Sequence, residues 1–223
     1  YNDMTQLSSI TASLVCDSGN TLPETSPFVL PLSTEADAEA LEGMLVSFNG
    51  LTVNDTYNLL RYGSVTLANG RRMIPTQVAL PGTAADAIAA QNQLNQVVLD
   101  DGSNQQNPTV VAYLETGLSA NNTLRVGDTI SMSEGVLHYS FGDFRIHPLT
   151  NITTNPVNPR SVAPELDVEG NLKVASYNVL NYFKTLNQRG ADNAVEFQRQ
   201  KDKIVAALSG LDADVIGLME IEN

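Results

Sequence analysis

Residues 172–221 decide the fold: they open with Leu172-Lys173-Val174-Ala175-Ser176-Tyr177-Asn178-Val179 and close with Asp214-Val215-Ile216-Gly217-Leu218-Met219-Glu220-Ile221. Both ends are short, β-rich apolar runs of the kind that suit a buried strand. Between them, Ala194, Phe197, Lys201, Ile204, Val205 and Leu208 recur at helical three-and-four spacing. Asp192 is placed to cap that helix, and Gly210 suits a left-handed residue at its end. Strand, helix, strand within so short a span predicts a βαβ unit with parallel strands and a right-handed crossover.

Two polar residues fall where these strands end, Asn178 on the first and Glu220 on the second. In a parallel unit, ligands collect at the carboxyl ends of strands. A carboxylate and an amide oxygen are hard ligands suited to Mg²⁺, Mn²⁺ or Ca²⁺. Taken alone, the same residues also fit a strand-end turn and a solvated acid.

Upstream, residues 151–170 carry Pro156, Pro159 and Pro164 among polar residues and read as a linker. Residues 1–150 read as mostly β, with alternation in 43–48, 51–53, 64–67, 129–132 and 135–141. Turn signals separate the runs at Asn49-Gly50, Asn69-Gly70, Pro81-Gly82, Asp101-Gly102 and Gly142-Asp143. This pattern predicts a small closed or partly open barrel. Residues 33–42 suit a short helix, and the Ala-, Gln- and Asn-rich 83–99 either a helix or a long excursion.

The 223 residues are 42% hydrophobic, which excludes wholesale disorder. With 12 Lys+Arg against 25 Asp+Glu, the formal charge is −13. Residues 1–150 contribute 5 basic and 15 acidic side chains, which argues against a protein that coats nucleic acid, since so acidic a surface repels a polyanion unless cations or local basic pockets intervene. No apolar run is long enough to span a membrane. Cys16 is the only cysteine, and is either a small buried apolar residue or half of a pair completed outside this chain. The chain opens on Tyr1-Asn2-Asp3 and stops just after an apolar run, so it is expected to be a piece of a longer or processed protein.

The strings Ser-Tyr-Asn-Val-Leu-Asn-Tyr-Phe at 176–183 and Ile-Gly-Leu-Met-Glu-Ile-Glu-Asn at 216–223 resemble the opening of the endonuclease/exonuclease/phosphatase (DNase I-like) superfamily. Within it, the likeness is greatest to large secreted bacterial nucleases. Arg-Gly-Ala-Asp at 189–192 and Glu-Phe-Gln-Arg-Gln-Lys at 196–201 share it. So do 41–46, Tyr62-Gly63, Pro75-Thr76-Gln77, 99–102 and Arg125-Val126-Gly127-Asp128, which resemble the OB-like region preceding the catalytic domain.

The resemblance implies an α+β chain: an OB-like accessory β domain over 1–150, a linker over 151–170, and the first βαβ of an incomplete DNase I-like sandwich over 171–223. It implies a secreted, divalent-metal-dependent hydrolase of DNA phosphodiesters, with RNA as a second substrate class and no membrane partner. Asn178 corresponds to the family's first-strand Asn beside metal and scissile phosphate, and Glu220 to its metal-ligand Glu. Glu222 departs from DNase I, which has a backbone-contacting Arg there. The catalytic His and Asp of the family come from later elements, so this chain alone is expected to be inactive. Two alternatives stand beside this: a phosphatase or nucleotidase of the same superfamily, and a non-catalytic nucleic-acid-binding or scaffolding module.

Other groups suggest chemistry less specifically. Tyr57, Arg61, Tyr62, Arg71 and Arg72 interleave rings and cations that would stack bases on an OB-like face. Asp100-Asp101-Gly102-Ser103-Asn104 is oxygen-rich but lacks EF-hand spacing, and reads as a hairpin turn. His138 and His147 read as surface histidines, because alternation puts His138 opposite Leu137, Tyr139 and Phe141. Arg199 and Lys201 read as a solvated helix face.

Overall fold

A computed structural model describes residues 8–115, 117–119, 122–159, 161 and 170–222. It divides into two units, the first ending at Pro159 and the second beginning at Arg160.

The first unit contains β1 (Ser26–Pro27), α1 (Glu35–Glu39), β2 (Leu45–Phe48), β3 (Leu51–Asp55), α2 (Leu59–Tyr62), β4 (Val65–Ala68), α3 (Pro75–Val78) and α4 (Thr83–Leu94). It continues through β5 (Val97–Leu99), β6 (Thr129–Ile130), β7 (Ser133–Ser140), β8 (Asp143–Pro148) and β9 (Thr154–Asn155). The sheet order is β1-β2-β7-β8-β5-β4-β3-β6-β9. Asn49 and Gly50 alone separate β2 from β3, and Gly50 takes φ +69° to make the bend. The pairing path from β2 through β7, β8, β5 and β4 to β3 therefore starts and ends on one continuous stretch of chain. Alternate residues of these strands face one interior. Val46, Phe48, Leu51, Val53, Val65, Leu67, Val97, Leu99, Leu137 and Ile146 are all buried in a single core. Truncating one of the leucines or Ile146 to Ala costs about 2–5 kcal/mol.

Two pairings bring the end of β5 against the β7–β8 hairpin. β5 runs parallel to β8, setting Leu99 against Ile146, and the Asp100 N–H donates to the Ile146 carbonyl at 3.0 Å. β7 and β8 are antiparallel, and in their register His138 faces Arg145 and Val136 faces His147.

The second unit is β10 (Val174–Tyr182), α5 (Ala194–Leu211) and β11 (Val215–Ile221), with β10 and β11 parallel. Asn193, one residue beyond the expected Asp192, caps α5: its Oδ1 accepts from the N–H groups of Val195 and Glu196. The helix passes Gly210 and ends at Asp212, which adopts φ +44° and accepts from Lys173 Nζ at 2.6 Å. Asp tolerates that conformation, and the ion pair ties the helix end to the approach to β10. Val174, Val215, Leu218, Met219 and Ile221 remain substantially exposed on the two strands.

Several expectations are corrected. The segment expected as a linker begins inside the first unit: β9 pairs with β6, and the N–H groups of Val157 and Asn158 donate to buried Asp128. Most of its remainder, 162–169, lies outside the described residues. Of the two alternatives for residues 83–99 the helix holds, as α4, and the strand β5 that follows it is the addition. Cys16 is exposed, which removes the buried alternative.

Candidate functional site

At the ends of β10 and β11, Asn178 Nδ2 donates to Glu220 Oε1 at 2.7 Å, and the Asn181 N–H donates to Glu220 Oε2 at 3.1 Å. Asn178 Oδ1 accepts the Leu180 N–H at 2.8 Å. The two residues meet because the strands are parallel and because β10 bulges. Asn178 pairs with Met219 and Tyr182 with Ile221, so residues 179–181 stand against Glu220 alone. Such a bulge re-aims side chains. It is built from left-handed residues that are not glycine, Leu180 at φ +57°, Asn181 at +50° and Glu220 at +63°. Conformations of this kind gather at functional sites and are held by their surroundings. Here the holder is Gln200 of α5, whose Nε2 donates to the carbonyls of Val179 and Leu180 at 3.0 and 2.6 Å.

Glu222 has a different task. Its carboxylate accepts the N–H groups of Lys184 and Thr185 and the Thr185 hydroxyl, pinning the loop after β10. The Thr185 hydroxyl bond holds the Glu222 carboxyl below the usual carboxylate range. Arg199 and Lys203 line a shallow cavity beside Asn178, whereas Lys201 is exposed on the helix.

One carboxylate and one amide suit an oxygen-seeking divalent ion that keeps most of its water, as Mg²⁺ does. Among the described residues, no group of three or more His, Cys, Asp or Glu converges as a complete metal cage.

The first unit holds a second arrangement, in a cavity of about 520 Å³. Its wall carries the Asp100–Arg145 ion pair at 2.6 Å, with His147 Nε2 at 3.4 Å from the same carboxylate. Burial pushes the Asp100 carboxyl up, but bonds from His147, Gly102 and Arg145 outweigh it and hold the carboxyl below its ordinary value. His138 lies against His147 with ring centroids 4.1 Å apart, and its Nε2 is buried without a partner among the described residues. Burial, and then His147, push the His138 imidazole down.

His138 is thus a half-buried wall residue, whereas His147, with 37% of its side chain exposed, lines the cavity and still reaches the surface. Alternation places His138 outside the core, but the loop after β5 lies against that outer face. Asp100–Asn104 is not a hairpin turn, since β5 pairs in parallel with β8. Its carboxylates instead fold the loop on itself, Asp100 accepting from the Gly102 N–H and Asp101 from the Ser103 N–H. Of the expected ring-and-cation set, Tyr62 lines the cavity with the Arg61 guanidinium 5.2 Å over its ring, and Tyr57 is exposed. Arg72 is occupied elsewhere, donating through Nη1 to Gln96 Oε1 and the Asn92 carbonyl, and Arg71 stays exposed.

A family model described as a domain of unknown function (DUF8508) matches residues 36–158, which covers most of the first unit and none of the second. No curated protein and no solved structure matches the chain. No helix among the described residues is long and apolar enough to cross a membrane.

Proposed function

We propose that this chain, which belongs to the DUF8508 family, is part of a secreted, divalent-metal-dependent nuclease that hydrolyses DNA. In this proposal the first unit is an OB-like accessory domain, and β10-α5-β11 opens a DNase I-like catalytic domain. The observation that carries it is the Asn178–Glu220 pair, hydrogen-bonded at the matching ends of parallel strands. The pairing path from β2 to β3, with its parallel β5–β8 contact, suits a five-stranded Greek-key barrel once β2 and β3 count as one bent strand. The exposed apolar residues of β10 and β11 suit strands covered within a wider sheet.

The chain's own residues supply ligands and positioning. Glu220 and the Asn178 amide oxygen would hold Mg²⁺, with Mn²⁺ or Ca²⁺ as alternatives, and the ion would supply charge to stabilise the phosphate's transition state. Asn178 and Asn181 fix both carboxylate oxygens of Glu220 through N–H donors. Glu220 is therefore a ligand and a fixed charge, and removing a proton from water falls to a base outside this set. General-base assistance is worth about 10²–10⁴-fold, so the chain alone is expected to lack nuclease activity.

The test is plasmid degradation by the full-length protein in Mg²⁺. Cleavage that stops with chelator and falls at least a hundredfold in Glu220→Ala supports the nuclease. Release of phosphate from nucleotide monoesters without plasmid cleavage moves the assignment to a phosphatase of the same superfamily. Undiminished cleavage by Glu220→Ala overturns the site.

A further inference from the structure

The cavity of the first unit is lined by groups that the proposed chemistry at Glu220 does not use. Its rim carries Phe141, which is 59% exposed and lies in the two-residue turn Phe141–Gly142 joining β7 to β8. Phe141 has φ +53°, a conformation such turns ordinarily give to Asn, Asp or Gly. Neither solubility nor turn preference accounts for an aromatic residue there. It does present a ring at the cavity mouth, with the Arg145 guanidinium 5.2 Å over one face. Tyr62 contributes a second ring to the lining. Asn58 and Asn104 add carboxamides, each with a donor and an acceptor side by side, and Asn58 makes no side-chain cap bond to α2.

The charges select against an anion. Arg145 is the cation of the lining, and it is committed through Nη1 to Asp100 and through Nε to the Ser140 carbonyl. Asp143, bonded to Gln96, adds a carboxylate to the same wall. A phosphate entering would meet a net negative wall, whereas a flat neutral ring would meet aromatic faces and edge-reading amides.

We propose that this cavity binds an uncharged nucleobase, stacked on Phe141 and read along its edge by Asn58 and Asn104. The base comes either from a free nucleoside or from an unpaired position in a single strand whose phosphates stay outside. This inference does not depend on catalysis at Glu220, and it stands or falls separately.

The experiment is an NMR titration of the whole chain with adenosine, thymidine, an oligodeoxythymidylate and a DNA duplex. Saturable shifts at Tyr62, Asn104 and Phe141 are expected with nucleosides, with the single strand, or with both, and none with the duplex. Response to nucleosides identifies the free ligand as sufficient; response to the strand alone identifies the unpaired base within a chain. Phe141→Gly relieves the turn's strain, so it keeps the fold, and it is expected to weaken binding at least fivefold through loss of stacking. Asn104→Ala is expected to change the preference among bases. Absence of shifts at these residues, binding unchanged in Phe141→Gly, or preferential response to inorganic phosphate or a neutral hexose overturns the proposal.

Discussion

Replacing Asp100 with Ala leaves the Arg145 guanidinium without its carboxylate in a wall where the two side chains are only 14% and 12% exposed. Breaking a buried pair from one side costs about 3–5 kcal/mol, because the remaining charge is uncompensated. Arg145 keeps its bond to the Ser140 carbonyl and some contact with water, so the lower end applies, about 3 kcal/mol. At about 2–4 °C per kcal/mol for a domain of this size, the first unit should melt about 6–12 °C lower. Removing both charges, in Asp100→Ala with Arg145→Met, removes the orphaned group as well. The two single losses should then exceed the double loss by at least about 1 kcal/mol. Urea denaturation, with hydrogen exchange of the β5 and β8 amides to report this unit separately, measures all four corners of the cycle. Additive losses, or an Asp100→Ala variant as stable as the parent, would refute the view that this pair braces the cavity wall. The Asp100 carboxyl lies below its ordinary value in the folded state. Its contribution is therefore present above the ordinary carboxylate range and is lost as pH falls through that lowered value.

Three further outcomes are expected. Gly135→Ala places a Cβ 2.5 Å from the His147 carbonyl oxygen, and should cost about 1–3 kcal/mol by prising β7 from β8; a thermal melt checks it. The His138 imidazole is pushed down on folding, so stability should decline as pH falls from about 6.5 toward the lowered value. That slope should flatten in His138→Gln across a series of melts at different pH. Gln200→Leu removes the clamp on the turn that orients Glu220, and should raise the Mg²⁺ requirement of the full-length protein about 10–100-fold. A Gln200→Leu enzyme with lower activity at every Mg²⁺ concentration but the same half-saturation would assign Gln200 to folding alone.

The βαβ unit was legible because its cues are local: two apolar runs, one helical period and a polar residue at each strand end. What periodicity missed was the bulge, since Leu180, Asn181 and Glu220 take left-handed conformations without a glycine to announce them. In the first unit, the turn glycines 50, 70, 82, 102 and 142 all adopt positive φ; Gly50, Gly70, Gly102 and Gly142 each follow a strand, whereas Gly82 precedes α4 rather than bounding a strand. β5 and β8 escaped notice for different reasons. Val97–Leu99 follows directly on a Gln- and Asn-rich helix, and Asp143–Pro148 buries only Ile146 of its six residues. Both are strands because of their partners, a tertiary effect that no short window contains. The same omission hid the cavity. Without β8 beside β5, nothing brought Asp100, Arg145 and the two histidines together.

A Mn²⁺ titration of this chain followed by NMR line broadening tests the central assignment most directly, because it detects the ion without requiring catalysis. Broadening centred on the Asn178 side-chain amide and the backbone of Asn181 and Ile221, competed by Mg²⁺ and abolished in Glu220→Ala, is the result predicted. Broadening centred instead on the Asp100–Asn104 loop, or persisting unchanged in Glu220→Ala, would contradict a cation site at the ends of β10 and β11.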